Sequence, residues 1–209
     1  MITVFGGQTS RSLRVVWLLE EMGLPYRMRQ VDLLADGEDA EFLSVNPGGF
    51  IPAIQDGGVT MVESVAIMEY LMARYGPTPL APAPDHPTFP AYQQFLHLGE
   101  AGLATLMNIV IMCRHFAPET ERQNWAAGQS LQWIDSRRKL VAQQLAHSTH
   151  LAGEAFTAAD ISVTYALGLG SRHCEILLSE AEEAYVARTT GRPAYQRALQ
   201  RSQPVAAEA

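Results

Sequence analysis

The chain contains 209 residues, of which 47% are hydrophobic, and carries a formal net charge of −7 at pH 7. This length and apolar content suffice for two small domains with hydrophobic cores. Because the chain is acidic and has no cluster of basic residues, we expect it to bind neither nucleic acid nor an anionic membrane surface. It shows neither an uninterrupted apolar run long enough to span a membrane nor a signal-peptide pattern, so we expect a cytoplasmic protein.

The first 45 residues predict alternating strands and helices. Residues 2–5 form a short β-branched and apolar run, which indicates a buried strand. The next apolar residues have helical spacing, and Gly23 is typical of a helix end. A second strand is predicted over residues 26–31 and a short helix over residues 40–45. The residues with helical spacing are Val15, Leu18, Leu19 and Met22.

The segment Asn46-Pro47-Gly48-Gly49-Phe50-Ile51-Pro52-Ala53-Ile54 follows. An X-Pro bond costs only about 0.5–1 kcal/mol to hold cis, so a packed fold can fix Ile51-Pro52 in that form. A cis bond would leave the N–H and C=O of Ile51 free to pair with an extended peptide. The alternative is an ordinary trans proline at the first residue of a strand over residues 53–55.

A hairpin and a helix complete this region. Asp56-Gly57-Gly58 predicts a tight turn into a strand over residues 59–61. Met68, Leu71, Met72 and Tyr75 then have the spacing of an amphipathic helix, with Ser64 expected as its N-cap. A carboxylate could bind at this helix N-terminus while Glu63 binds an ammonium group. The alternative is that Ser64 only caps the helix and Glu63 is solvated.

The order of these elements, the Asn46 to Ile54 segment and the Glu63-Ser64 helix start resemble the thioredoxin-like domain of cytosolic glutathione transferases. The sequence Thr9-Ser10-Arg11-Ser12-Leu13-Arg14-Val15-Val16-Trp17-Leu18-Leu19-Glu20-Glu21 resembles a bacterial and fungal, serine-type branch of that family. The pattern and the resemblance imply an α/β thioredoxin-like domain with a mixed four-stranded sheet, followed by an all-α helical bundle. We assign residues 1–76 to the glutathione-binding domain, 77–87 to a proline-rich linker and 88–209 to the helical domain.

Few residues of the helical half suggest chemistry. Thr157 and Asp160 have the spacing of a capping box, a structural feature. Cys113 and Cys174 form no Cys-x-x-Cys motif, so we expect small buried apolar residues rather than a redox pair. The scattered histidines have no cysteine or acidic partners at metal-binding spacing, and we therefore expect no metal site.

Because the first loop contains no cysteine, the reactive thiol must come from the ligand. The resemblance implies glutathione as co-substrate, bound by Ile51, Pro52, Glu63 and Ser64. A loop hydroxyl, together with the N-terminal dipole of the first helix, would stabilise its thiolate. Similarity to serine-type members favours Ser10 as that donor. Ser12 is the second choice, because its position also suits a helix cap, and Thr9 is the third.

The predicted reaction is attack of the thiolate on an electrophilic carbon of a hydrophobic compound, a detoxification chemistry. Met107, Ile111 and Met112 would line the second-substrate pocket, between the first loop and the helical domain, although such a stripe also suits a core. The alternatives are a glutathione-dependent isomerase, dehalogenase or peroxidase, and, in another class, a non-catalytic binding or regulatory module. The resemblance also implies a homodimer. Phe50 departs from the family pattern, because many relatives have a polar or basic residue there, so any contact with the glycyl carboxylate must come from elsewhere.

Overall fold

The computed structural model of the chain describes residues 1–7, 10–35 and 37–203. Its contacts divide the chain into two compact units. The first contains residues 1–78 together with the segment that begins at Gly191, and the second contains Pro79–Thr190. The final segment therefore groups with the first unit, whereas the sequence pattern assigned it to the helical domain.

The first unit contains a four-stranded mixed sheet of strand order β2-β1-β3-β4. β1 pairs in parallel with β2, and β3 is antiparallel to both β1 and β4. Val4 lies opposite Met28 on one side and Ile54 on the other. The predicted fold class is thus confirmed. The strands are β1 Ile2–Gly6, β2 Tyr26–Gln30, β3 Ala53–Asp56 and β4 Val59–Val62.

The helices alternate with these strands and then dominate the chain. In chain order they are α1 Ser12–Met22, α2 Ala40–Val45, α3 Ser64–Tyr75, α4 Phe89–His97, α5 Thr105–Ile111, α6 Trp125–Leu145, α7 Ala158–His173, α8 Glu180–Thr190 and α9 Pro193–Arg201. Two π-helical stretches, Leu98–Ala104 and Met112–Phe116, follow α4 and α5. α1, α2, α3 and α9 belong to the first unit, and the others belong to the second.

α1 is buried from Ser12 to Leu19, on all its faces. The predicted apolar stripe accounts for one face, and α9 covers another. The rings of Trp17 and Tyr195 meet edge to face with centroids 4.8 Å apart. Arg192 of the C-terminal segment donates to both carboxylate oxygens of Glu21, at 2.6 and 2.8 Å. α9 therefore completes the core of the first unit.

The second unit is built around α7, which packs against α4, α8 and the π-helical stretch Leu98–Ala104. The predicted capping box is confirmed, with the backbone N–H of Thr157 donating to Asp160 Oδ2 at 2.8 Å. In the described chain, one helical stretch, Phe89–Phe116, is long and apolar enough to cross a membrane by length and composition alone. Its buried side packs on α6 and α7, as the core helix of a helical unit does.

Glu182 of α8 makes a buried ion pair with Arg138 of α6. Arg138 Nε donates to Glu182 Oε1 at 2.8 Å, Nη2 donates to Oε2, and the Ser179 N–H also donates to Oε2. Burial by itself would raise the pKa of the Glu182 carboxyl, but the hydrogen bonds from Arg138 and Ser179 outweigh it and lower that pKa. The ionised form of Glu182 therefore stabilises the folded state.

This ion pair predicts acid sensitivity. The pKa of the Glu182 carboxyl is lower in the folded chain than in the unfolded chain. The stabilisation that the ion pair gives to the fold is therefore complete above the unfolded pKa, and it is lost as pH falls through the folded pKa. We expect the free energy of unfolding, measured by urea titration, to fall as pH drops below about 4.5, and Glu182→Gln to reduce that pH dependence. Glu180→Gln, an exposed change on the same helix, is the control. Equal pH dependences for wild type and Glu182→Gln would contradict the prediction.

Candidate active site

Ser10 and Ser12, in the loop between β1 and α1, share a hydrogen-bond network around Gly7. Their Oγ atoms lie 2.6 Å apart. The Gly7 carbonyl oxygen lies 2.8 Å from Ser10 Oγ and 3.0 Å from Ser12 Oγ, and the Gly7 N–H donates to Ser12 Oγ at 3.2 Å. Thr9, the third hydroxyl considered, is outside the described residues.

Two hydroxyl protons serve three contacts in this network, so one contact always lacks a proton. If Ser12 donates to the Gly7 carbonyl, Ser10 can turn its proton elsewhere while still accepting the Ser12 N–H at 3.2 Å. Exposure to solvent also favours Ser10 over Ser12 as the hydroxyl that contacts a ligand. Ser12 has no accessible surface, whereas Ser10 is half-buried. Of these two hydroxyls, Ser10 alone has surface to offer a ligand.

The cap of α1 differs from the sequence expectation. Ser12 is the first residue of the helix, and its hydroxyl turns back to Gly7 rather than capping the helix. Ser10 accepts the first helical N–H groups instead, through its Oγ from Ser12 and through its carbonyl from Leu13 at 3.0 Å. Gly6 permits this close approach, because a Cβ there would lie 2.3 Å from Ser12 Cβ.

The segment before β3 brings Ile51 next to this loop. The Ile51–Pro52 bond is cis, as the sequence suggested. Asn46 shapes the preceding turn, because its Nδ2 donates to the Phe50 carbonyl at 2.6 Å and its Oδ1 accepts the Gly48 N–H at 3.0 Å. Ile51 packs on the core cluster of the sheet, and its Cδ1 would lie 3.7 Å from a Cβ on Gly7.

The start of α3 corrects one expectation. Ser64 is the first helical residue rather than the N-cap, because the chain turns into the helix at Glu63, which has φ 71° and ψ 106°. Positive φ is uncommon outside glycine and often marks functional sites. No side chain among the described residues caps this helix. Its first N–H groups have no partner within the helix, and Glu63 directly before them is exposed, so this helix terminus suits an anion.

Arg14 is the functional candidate that the sequence patterns missed. It lies on α1, is fully buried, and its Nη1 donates to Ser64 Oγ at 3.3 Å. The available signal was a single cation inside an otherwise apolar run from Leu13 to Leu19. Since charges are seldom buried without a polar partner, such a residue indicates a specific contact.

The three proposed electrophile contacts differ in exposure. Met107 has no accessible surface, and its Cε would lie 2.8 Å from a Cβ on Gly170, so it belongs to the core of the helical unit. It therefore has no surface with which to contact a second substrate. Ile111 is half-buried, and 54% of the Met112 surface is exposed.

Cys113 and Cys174 both lie in the helical unit, and Cys174 is buried. Burial raises the pKa of the Cys174 thiol to about 11, which keeps it protonated at neutral pH. Cys113 contacts the side chain of Asn124, the N-cap of α6. Within residues 1–7, 10–35 and 37–203, no group of three or more His, Cys, Asp or Glu could hold a metal ion.

Comparison with known proteins gives consistent matches. Residues 10–74 match the family model of the glutathione S-transferase N-terminal domain. Glutathione S-transferase GstB of Escherichia coli is 31% identical over 172 residues, which cover 78% of this chain and 80% of that protein. Glutathione S-transferase 3 of Schizosaccharomyces pombe is 28% identical over 182 residues, which cover 82% and 75%.

A solved structure agrees with these matches. The theta class glutathione S-transferase of Xanthomonas axonopodis pv. citri, with glutathione bound, superposes with a TM-score of 0.78 and 26% identity, and the match covers 95% of this chain and 96% of that one. The family model, the extent of the match to GstB and this likeness across both units lead to one conclusion. The chain belongs to the glutathione S-transferase family.

Proposed function

We propose that the protein is an active glutathione S-transferase that conjugates glutathione to hydrophobic electrophiles. The observation that carries the proposal is the Ser10 hydroxyl. It is half-buried, and it can redirect its proton to a ligand while Ser12 continues to hold Gly7. A fold that binds a thiol beside such a donor can stabilise the thiolate without a protein cysteine.

Glutathione binding would use the groups around this loop. The backbone of Ile51, with Pro52 next to it, would pair with the cysteinyl residue as an added strand does. The γ-glutamyl carboxylate would bind at the N-terminus of α3 through Ser64, and the exposed Glu63 carboxylate would bind the ammonium group. The Xanthomonas relative with glutathione bound supports this choice of ligand.

The chemical step would be nucleophilic substitution by the ligand's sulfur. A thiol of pKa about 8.5 is only about 3% ionised at pH 7, and lowering that pKa by about 2 units requires about 2.7 kcal/mol. One hydrogen bond to the charged sulfur, with the α1 dipole, supplies stabilisation of this size. The thiol proton passes to solvent, a carbon–sulfur bond forms, and the leaving group departs with its bonding electrons.

Ile111 and Met112 of the helical unit are the proposed contacts of the electrophile. Both are apolar and accessible, and Met112 is unbranched and adapts to ligands of varied shape. We also propose that the protein acts as a cytoplasmic homodimer in detoxification, as its family membership suggests.

The test is calorimetry with glutathione, followed by turnover assays with 1-chloro-2,4-dinitrobenzene and a panel of peroxides, disulfides and isomerisable substrates. Binding with conjugation supports the proposal. Binding with turnover of another substrate alone would assign the same thiolate to a different reaction. Binding without any turnover would indicate a regulatory module, and absence of binding would overturn the glutathione site itself.

A further inference from the structure

We propose that Arg14 is a positioning residue that makes the site selective for the γ-glutamyl carboxylate of its ligand. It would act through the Ser64 hydroxyl and through its own charge behind the first turn of α3. This inference rests on the proposed function, because it assumes that glutathione binds at this helix terminus.

The burial of Arg14 is the first observation. Its side chain is fully buried on α1, although neighbouring positions Leu13, Val15 and Val16 are apolar and equally enclosed. Removing a guanidinium from water costs several kcal/mol unless hydrogen bonds and opposite charge compensate for it. An apolar residue at the same position would need no polar partners, so the cation indicates a polar role at this position, and one of its contacts is the Ser64 hydroxyl.

The contact with Ser64 is the second observation. Arg14 Nη1 lies 3.3 Å from Ser64 Oγ. A guanidinium only donates hydrogen bonds, so the serine oxygen must accept this one. The Ser64 hydroxyl proton is therefore directed to a different acceptor. A carboxylate at the start of α3 would receive that proton together with the N–H groups of the first helical turn.

Electrostatics gives the same preference. The N-terminus of a helix carries a partial positive charge, and a buried cation close behind it adds to the potential there. Water screens this charge weakly, because Arg14 and Ser64 are both buried. The combined field favours an anionic group over a neutral one of the same size. Arg14 thus selects the ligand by its charge, without needing to touch it.

The experiment compares two ligands on wild type and variants by calorimetry. One ligand is glutathione, and the other is 4-aminobutyryl-cysteinyl-glycine, which lacks only the γ-glutamyl α-carboxylate. The measured quantity is the ratio of their dissociation constants. We expect Arg14→Met to lower the preference for glutathione about 10- to 100-fold. Without Arg14 Nη1 donating to Ser64 Oγ, the Ser64 hydroxyl is no longer directed to the ligand's carboxylate, and the hydrogen bond to that charged group is weakened or lost. Arg14→Lys keeps the positive charge but not the planar set of guanidinium N–H donors, so it should give an intermediate ratio.

Arg27→Met is the matched control, because it removes the same charge from an exposed position of β2 and should leave the ratio unchanged. A ratio for Arg14→Met within about twofold of wild type would overturn the inference, since the two ligands differ only in the α-carboxylate whose binding Arg14 is proposed to strengthen. If Arg14→Met does not fold, Arg14→Lys and Ser64→Ala decide, and wild-type ratios in both would overturn it. Failure of wild type to bind glutathione would instead overturn the proposed function.

Discussion

Ser10→Ala is expected to lower the turnover of glutathione with an aryl halide about 10- to 100-fold, with little loss of glutathione affinity. The reason is that the Ser10 hydroxyl would stabilise the charged sulfur more than the neutral thiol, and a hydrogen bond to a charged group contributes about 1.5–3 kcal/mol. The pKa of the bound thiol should rise accordingly. Steady-state kinetics, calorimetry and the pH dependence of thiolate absorbance measure the three quantities.

Ser44→Ala, an exposed change on α2 in the same unit, controls for the loss of a hydroxyl and should leave all three unchanged. Ser12→Ala should chiefly loosen the loop, because the Gly7 N–H loses its acceptor. If Ser12→Ala raises the thiol pKa and Ser10→Ala does not, the donor has been assigned to the wrong residue. If the pKa of the bound thiol stays as low as in wild type in both variants, Thr9 or the helix dipole stabilises the thiolate instead.

Asp160→Ala is expected to lower the free energy of unfolding by roughly 3–5 kcal/mol, measured by urea denaturation. The carboxylate accepts from the N–H groups of Leu151 and Thr157, at 3.0 and 2.8 Å, and from the Tyr185 hydroxyl at 3.0 Å. All three donors are buried with it, so the substitution leaves the two N–H groups unsatisfied and leaves the Tyr185 hydroxyl with only the Asp160 carbonyl, at 3.4 Å. It also removes the Asp160 half of the capping box of α7.

Asp160→Asn and Tyr185→Phe separate these contributions. The amide keeps one acceptor oxygen, so its effect should be smaller than that of alanine. Tyr185→Phe removes a single donor and should cost about 1–2 kcal/mol. A loss below about 1 kcal/mol for Asp160→Ala would show that water satisfies these donors and that the capping box contributes little.

Local signals in the sequence predicted the elements that local chemistry controls. The Asp56-Gly57-Gly58 turn, the Thr157 capping box and the apolar spacing of α1 each depend on residues within a few positions. The mixed sheet followed from the order of these elements. The cover of α1 by α9 was not predictable in this way, because the pairing of Glu21 with Arg192 joins residues 171 positions apart.

The site was predictable in part for the same reason. Sequence patterns located the loop and the start of α3, and they gave the cis form of the Ile51–Pro52 bond as one of two alternatives. Both hydroxyls contact Gly7, and the difference between Ser10 and Ser12 is that only Ser12 is fully buried, which residue type and spacing do not encode. The N-cap of α3 was misplaced by one residue because backbone angles at Glu63 decide where the helix begins.

The docking of α9 on α1 has a consequence for synthesis of the protein on the ribosome. The first 78 residues emerge from the ribosome before the second unit, whereas α9, which packs on Trp17, is translated only after that unit. During elongation, the nascent α/β unit therefore exposes the Trp17 side of α1 until α9 has emerged. Chaperone dependence should accordingly be greatest in truncated products that stop before Gly191.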